Sequence, residues 1–267
     1  MEAMASDRGG RALRDAILVS FDNLGEAADL ERDPSPDAEP SGDHPSVTVA
    51  LPALLELLAG LDLPATFFVE GINAGLYPEA VRSIAQAGHE VGLHAWRHER
   101  WHELSPAEED DRLTRGVAAF AGLGLEVAGF RPPGGELTPR TLGALADRGL
   151  RWCSPLGTRA ERRDGIALLP FRWTLVDAYH RMAAFAGLRR EHGDDPAPRS
   201  PGATADALLA ELQRPADGPT VVILHPFLLL DEAERAQAER VLRWVAEQVA
   251  AGARWVARGR DLAPLVA

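Results

Sequence analysis

Short apolar runs recur along this chain, separated by longer stretches with helical periodicity, and this alternation is what most restricts its fold. The runs are Ala16 to Phe21, Ala65 to Val69, His89 to Leu93, Ala128 to Arg131, Leu150 to Ser154, Ile166 to Phe171 and Thr220 to Leu224. Amphipathic helices are predicted at Ser46 to Leu61, Pro78 to Ala87, Ser105 to Gly122, Thr138 to Arg148 and Asp231 to Ala251. Alternation sustained over the whole length predicts a parallel sheet, and right-handed crossovers then leave a barrel or a doubly wound sheet. Periodicity does not choose between the two. With 267 residues, 46% of them apolar, the chain suits one large α/β domain better than two small ones. The reading is a tail over residues 1–15 and one domain over 16–267.

Two segments interrupt the rhythm. Asp33 to Ser46 and Glu191 to Ala203 are rich in Pro, Gly, Ser and Asp and read as loops. The first follows the first strand, and loops after the strands form the active face of parallel α/β folds, so it is a candidate substrate lid. In the last helix, Leu242, Val245 and Val249 form a stripe expected to pack on the sheet.

Composition excludes several classes of partner. A net charge of −12 disfavours nucleic acid and anionic lipid surfaces. No apolar run reaches the roughly 18 residues of a membrane span. Cys153 is the only cysteine, so no intrachain disulfide forms, and it reads as a small buried residue. The first residues are charged and lack an apolar signal segment, so the expected location is cytoplasmic.

The chemistry-bearing residues sit at the ends of predicted strands. In HAWRHERWH, His94 and His98 are four apart after a strand; if a helical turn starts there, both imidazoles project to one side, as two nitrogen ligands of a divalent metal must. His102, four further on, reads as a solvated residue. Asp22, in VSFDN, ends the first strand and offers either a turn former or a general base. His225, in VVILHPF, ends the last well-marked strand and offers a general acid. Arg131, in FRPPGGEL, is placed to pair with Asp177, and Gly134 and Gly135 offer either a tight turn or uncovered backbone donors for an oxyanion. Trp173 and Tyr179, in FRWTLVDAYH, offer either a sugar-binding wall or core aromatics.

In order, these pieces resemble the motif series of the polysaccharide deacetylases (NodB homology, carbohydrate esterase family 4), nearest the subgroup with peptidoglycan deacetylases and allantoinase-like members. The resemblance runs from about Ile17 to Phe227 and implies a distorted (β/α) barrel of about seven parallel strands. It implies Asp22 as the base that activates a water, His94 and His98 as metal ligands and the Gly134 N–H as oxyanion donor. His225 would be the acid, with Arg131 and Asp177 as supporting residues and Trp173 and Tyr179 as pocket wall. The implied cofactor is a divalent metal, Zn foremost, with Co, Ni or Mn as alternatives. The sequence departs from the pattern where the family places a second Asp: here stand Asn23 and Leu24, so Asn23 is the candidate third ligand, with Glu26 as a substitute. Gly134 also replaces a Tyr, and Ala95 a Ser or Thr.

The implied function is removal of an N-acetyl or short N-acyl group from a small amino-sugar-like compound, by a protein compatible with a homo-oligomer. Alternatives are a catalytically silent barrel that binds a sugar or partner, and a metal-independent hydrolase of cyclic amides.

Overall fold

The computed structural model describes residues 12–27, 29 and 40–267. Among the described residues there are nine strands, β1 (Ala16–Asp22), β2 (Thr66–Val69), β3 (Glu90–Leu93), β4 (Gly129–Phe130), β5 (Trp152–Cys153), β6 (Glu161–Arg163), β7 (Ile166–Leu168), β8 (Thr220–Leu224) and β9 (Trp255–Val256). They form one sheet in the order β6-β7-β5-β4-β3-β2-β1-β8, with β9 added on β1. Every pairing is parallel except β6 with β7. That exception is a hairpin on Asp164 and Gly165, both at positive φ, as a two-residue turn between twisted strands requires. The curled, mostly parallel sheet is the expected distorted barrel.

Side-chain parity explains the site. In β1, Ile17, Val19 and Phe21 face the helices outside the sheet, whereas Ala16 and Leu18 belong to the inner core. Strand residues alternate between faces, so Ser20 and Asp22 also point inward. The same parity holds in β8, where Val222 and Leu224 face outward and Val221 and Ile223 inward. Continued one step past each strand, it places Glu70, His94, Arg131, Ser154 and His225 on the inner side at the C-terminal mouth. At the opposite end, Glu90 is buried and accepts from Thr66 Oγ1 (3.1 Å), Trp152 Nε1 (3.1 Å) and the Arg260 N–H (2.9 Å), closing the floor. Trp152 fits there because Gly129 and Gly259 leave space; a Cβ on either would stand 2.2 or 2.0 Å from its ring.

Among the described residues, β7 and β8 do not pair, so the barrel has a seam. An irregular segment fills it: Phe171 N–H donates to Pro155 O (2.9 Å), and Val176 bridges to Ile223. The filler thus delivers Phe171, Trp173, Val176 and Asp177 to the mouth.

The helices outside the sheet follow their sequence signals. Ser105 and Glu108 form a capping box at Pro106–Gly122, and Asp231 caps Glu232–Ala250. One expectation needs correction here. The segment Glu191 to Ala203 is not loop to its end, because Ser200 caps a helix over Pro201–Leu212. Residues 1–11 of the expected tail and 33–39 of the expected lid lie outside the described residues.

Leu242 and Val245 are fully buried and Val249 is half-buried, so the stripe packs on the sheet as predicted. Cys153 is buried, and burial pushes its thiol up from its ordinary value. Leu242→Ala should lower unfolding free energy by about 2–5 kcal/mol, read by urea denaturation. A loss within error of zero would show that this helix is not part of the core.

Candidate active site

Arg131 organises the mouth. It is fully buried; Nη1 donates to Asp22 Oδ1 (2.6 Å) and Ser20 Oγ (2.9 Å), while Nε and Nη2 donate to Ser154 Oγ (3.2 and 2.9 Å). Its guanidinium lies over the Phe68 ring at 4.1 Å. Burial pulls Arg131 below its ordinary value and the Asp22 charge pushes back. The expected partner, Asp177, is elsewhere: Arg131 pairs with Asp22, because both take the inward parity at the C-terminal ends of β4 and β1 and meet across the barrel interior, and Asp177 pairs with His225.

The His225 ring donates from Nδ1 to Asp177 Oδ1 (2.5 Å), and its backbone N–H donates to Oδ2 (2.8 Å). Asp177 Oδ1 also accepts from Ala178 N–H (2.6 Å). These contacts fix the tautomer and leave His225 Nε2 as the atom that can hold or deliver a proton.

His94 and His98 are brought together, with ring centroids 5.0 Å apart, but not by a helix. Residues 95–97 form a turn, with Ala95 at φ 60° and His98 at φ 65°. Glu99 holds this turn by accepting from the N–H groups of Trp96 (3.0 Å) and Arg97 (2.9 Å), a role the sequence reading missed. His94 donates from Nδ1 to Arg131 O (2.8 Å), which leaves Nε2 with its lone pair. Burial pulls His94 down to about 3, so the ring is neutral at physiological pH.

Asn23 lines the same cleft, buried at φ 62°, and its Oδ1 has no hydrogen-bond partner. Among the described residues no cluster of three His, Cys, Asp or Glu could hold a metal. A three-donor set therefore needs the amide: two imidazoles and the orphaned Asn23 oxygen suit a divalent transition ion, at lower affinity than a carboxylate would give. Glu26 is not a substitute. It faces away from the cleft, accepting from Ser41 Oγ (2.7 Å), Gly42 N–H (2.8 Å) and the Tyr77 hydroxyl.

The cleft has a volume of about 780 Å³ and is lined by Asp22, Asn23, His94, His98, Arg131, Gly134, Trp173 and His225, among others. Gly134 stands at φ 77° with open space beside it. His102 sits on the rim, paired with Glu136 at 3.1 Å. Tyr179 does not line the wall: it is fully buried and donates to Asp194 Oδ2 (2.6 Å), because its helix position turns it into the inner core behind Trp173.

Glu70 was also missed, although ATFFVE shows a carboxylate ending a strand just as VSFD does. It is buried beneath the Asp22 loop, where Asn73 Nδ2 bonds both Glu70 Oε2 (3.0 Å) and Leu24 O (2.5 Å). Burial, with the Asp22 charge, pushes its carboxyl well above the usual range.

Comparison with known proteins places this geometry among relatives. A family model described as polysaccharide deacetylase matches residues 37–153. A peptidoglycan deacetylase of Helicobacter pylori is 32% identical over 105 residues, 39% of this chain and 36% of that protein. A chitooligosaccharide deacetylase of Azorhizobium caulinodans is 31% identical over 126 residues, 46% of this chain and 57% of that protein. The chain thus spans less than two thirds of these relatives' lengths. A crystal structure from Mycobacterium smegmatis, provisionally described as a polysaccharide deacetylase, superposes with a TM-score of 0.81 at 29% identity, covering 96% of this chain and 91% of that one.

Glu70 makes stability depend on pH. Its folded value lies above the ordinary 4.5, so its contribution is complete below that value and is lost as pH rises through the folded value. Glu70→Gln should therefore gain on the wild type between pH 5 and pH 8 in urea unfolding. Parallel stability curves would show that Glu70 stays in one charge state across that window.

Proposed function

We propose, from the premise that this chain carries a polysaccharide deacetylase domain, that its cleft hydrolyses an N-acyl amide of a sugar-like compound. The observation that carries this reading is the pair of separate carboxylate systems at one mouth, Asp22 with Arg131 and Asp177 with His225. One can take a proton while the other returns one, as amide hydrolysis demands.

Arg131 engages Asp22 Oδ1 and orients the carboxylate, and Oδ2 takes a proton from a water in the cleft. The water oxygen attacks the amide carbonyl. The Gly134 N–H, at the cleft edge, serves the developing oxyanion. His225 Nε2 delivers a proton to the leaving nitrogen, and Asp177 holds the ring in place through Nδ1. The C–N bond breaks to give a free amine and a carboxylate. His94, His98 and Asn23 would hold a divalent ion, which when bound supplies Lewis-acid polarisation of the carbonyl and the water. The relatives named for action on peptidoglycan and chitooligosaccharide support an N-acetylated amino sugar as the compound.

One observation favours a second reading. An amide oxygen in place of a carboxylate weakens the donor set, as expected of a hydrolase that works on a cyclic amide without metal.

Asp22→Asn should lower kcat on an N-acetylglucosamine glycoside by about 10²–10⁴-fold, the usual contribution of a general base, while circular dichroism stays unchanged. Wild-type activity should fall in EDTA and return with Zn²⁺. Full activity in the Asn variant would rule out Asp22 as base, and ureide hydrolysis that persists in EDTA would select the second reading.

A further inference from the structure

The cleft has two unlike sides. Charged groups, among them Glu99, Arg100, Glu103 and Glu108, line the side below the histidine turn. The side delivered by the seam segment and the end of β8 is Phe171, Trp173, Met182, Phe185, Ile223 and Phe227. Apart from the indole N–H of Trp173 and the thioether of Met182, this side presents no polar side-chain atom.

Its shape is a trough. Phe171 meets Trp173 at 88° with centroids 5.5 Å apart, and Phe185 meets Trp173 at 48° and 5.3 Å. Rings set at such angles do not share one plane, whereas stacking a run of sugar rings needs one continuous flat face. A polysaccharide laid here would turn hydroxyls toward carbon and lose their hydrogen bonds to water. The trough is also held in place: Arg189, fully buried, donates to the backbone carbonyls of Met182 (3.0 Å) and Pro196 (2.6 Å), and Phe185 N–H donates to Met182 O (3.2 Å).

Its position tells which part of a substrate it receives. The trough adjoins His225, whose ring lies 5.3 Å from that of Phe227, and Ile223 precedes His225 by two residues on the same face of β8. His225 serves the leaving nitrogen in the reading proposed above, on which this step rests. We infer that the substrate is an amphiphile whose amine half carries an apolar alkyl or aryl aglycone lying in this trough, with its polar groups toward the charged side. A single small sugar would leave most of the trough wet.

Product analogues test this on the wild-type protein without turnover. Methyl and octyl glucosaminide, together with acetate and octanoate, are titrated calorimetrically below their micelle concentrations. A buried methylene is worth about fourfold in affinity, so octyl glucosaminide should bind at least about tenfold tighter than methyl glucosaminide. Phe185→Ser and Phe227→Ser, at half-exposed positions, should each erase most of that gain. Equal binding of the two glycosides, or an alkyl preference confined to octanoate over acetate, overturns the inference. Failure of the parent reading looks different. If octyl glucosaminide binds tighter but no N-acyl glycoside is hydrolysed, the trough stands and the hydrolase reading falls; equal kcat/KM on methyl and octyl N-acetylglucosaminides does the reverse.

Discussion

The rest of this mouth depends on the buried ion pair between Arg131 and Asp22. A guanidinium held at 1% exposure inside a barrel is tolerable only when its donors find acceptors, and here Asp22, Ser20 and Ser154 supply them from β1 and from the end of β5. Removing one partner of such a pair costs about 3–5 kcal/mol, because the other charge stays buried. The pair also reaches beyond itself. The Arg131 carbonyl sets the His94 tautomer, and its guanidinium lies over the Phe68 and Phe171 rings at 4.1 and 5.4 Å. One residue thus links Asp22, the histidine turn and the start of the apolar trough.

The barrel supplies this arrangement through parity and through its seam. Alternating inward positions fill the interior with Leu18, Phe68, Trp152 and Val221, and then, at the C-terminal ends, with ionisable groups. A closed barrel would have no place for residues 171–176. Because β7 and β8 do not meet among the described residues, that segment lies in the gap and brings Asp177 to His225 along with the aromatic trough.

Much of this was legible in the sequence. Thr220–Leu224 was read to the residue, since an apolar run between Pro219 and His225 leaves little choice. Asp22, His94, Arg131 and His225 were identifiable because each follows directly on an apolar strand. Pairing was less legible, since Arg131 reaches Asp22 across 109 residues and His225 reaches Asp177 across 48, and separations of that size leave no periodic trace. The local geometry of the histidine turn was misread for a related reason: a four-residue spacing also arises in a turn when Ala95 and His98 adopt positive φ and Glu99 holds the N–H groups. The helix Pro201–Leu212 was obscured by neighbouring prolines, although Ser200 and Pro201 form a standard helix start.

Hydrolysis in ¹⁸O-labelled water tests the central claim most directly, by mass spectrometry of the products from an N-acetylated amino-sugar glycoside. Attack of a cleft water on the amide carbonyl predicts one ¹⁸O in the released acetate and none in the glycosidic amine. Label in the sugar product, or no acetate from any N-acyl glycoside, would contradict the account.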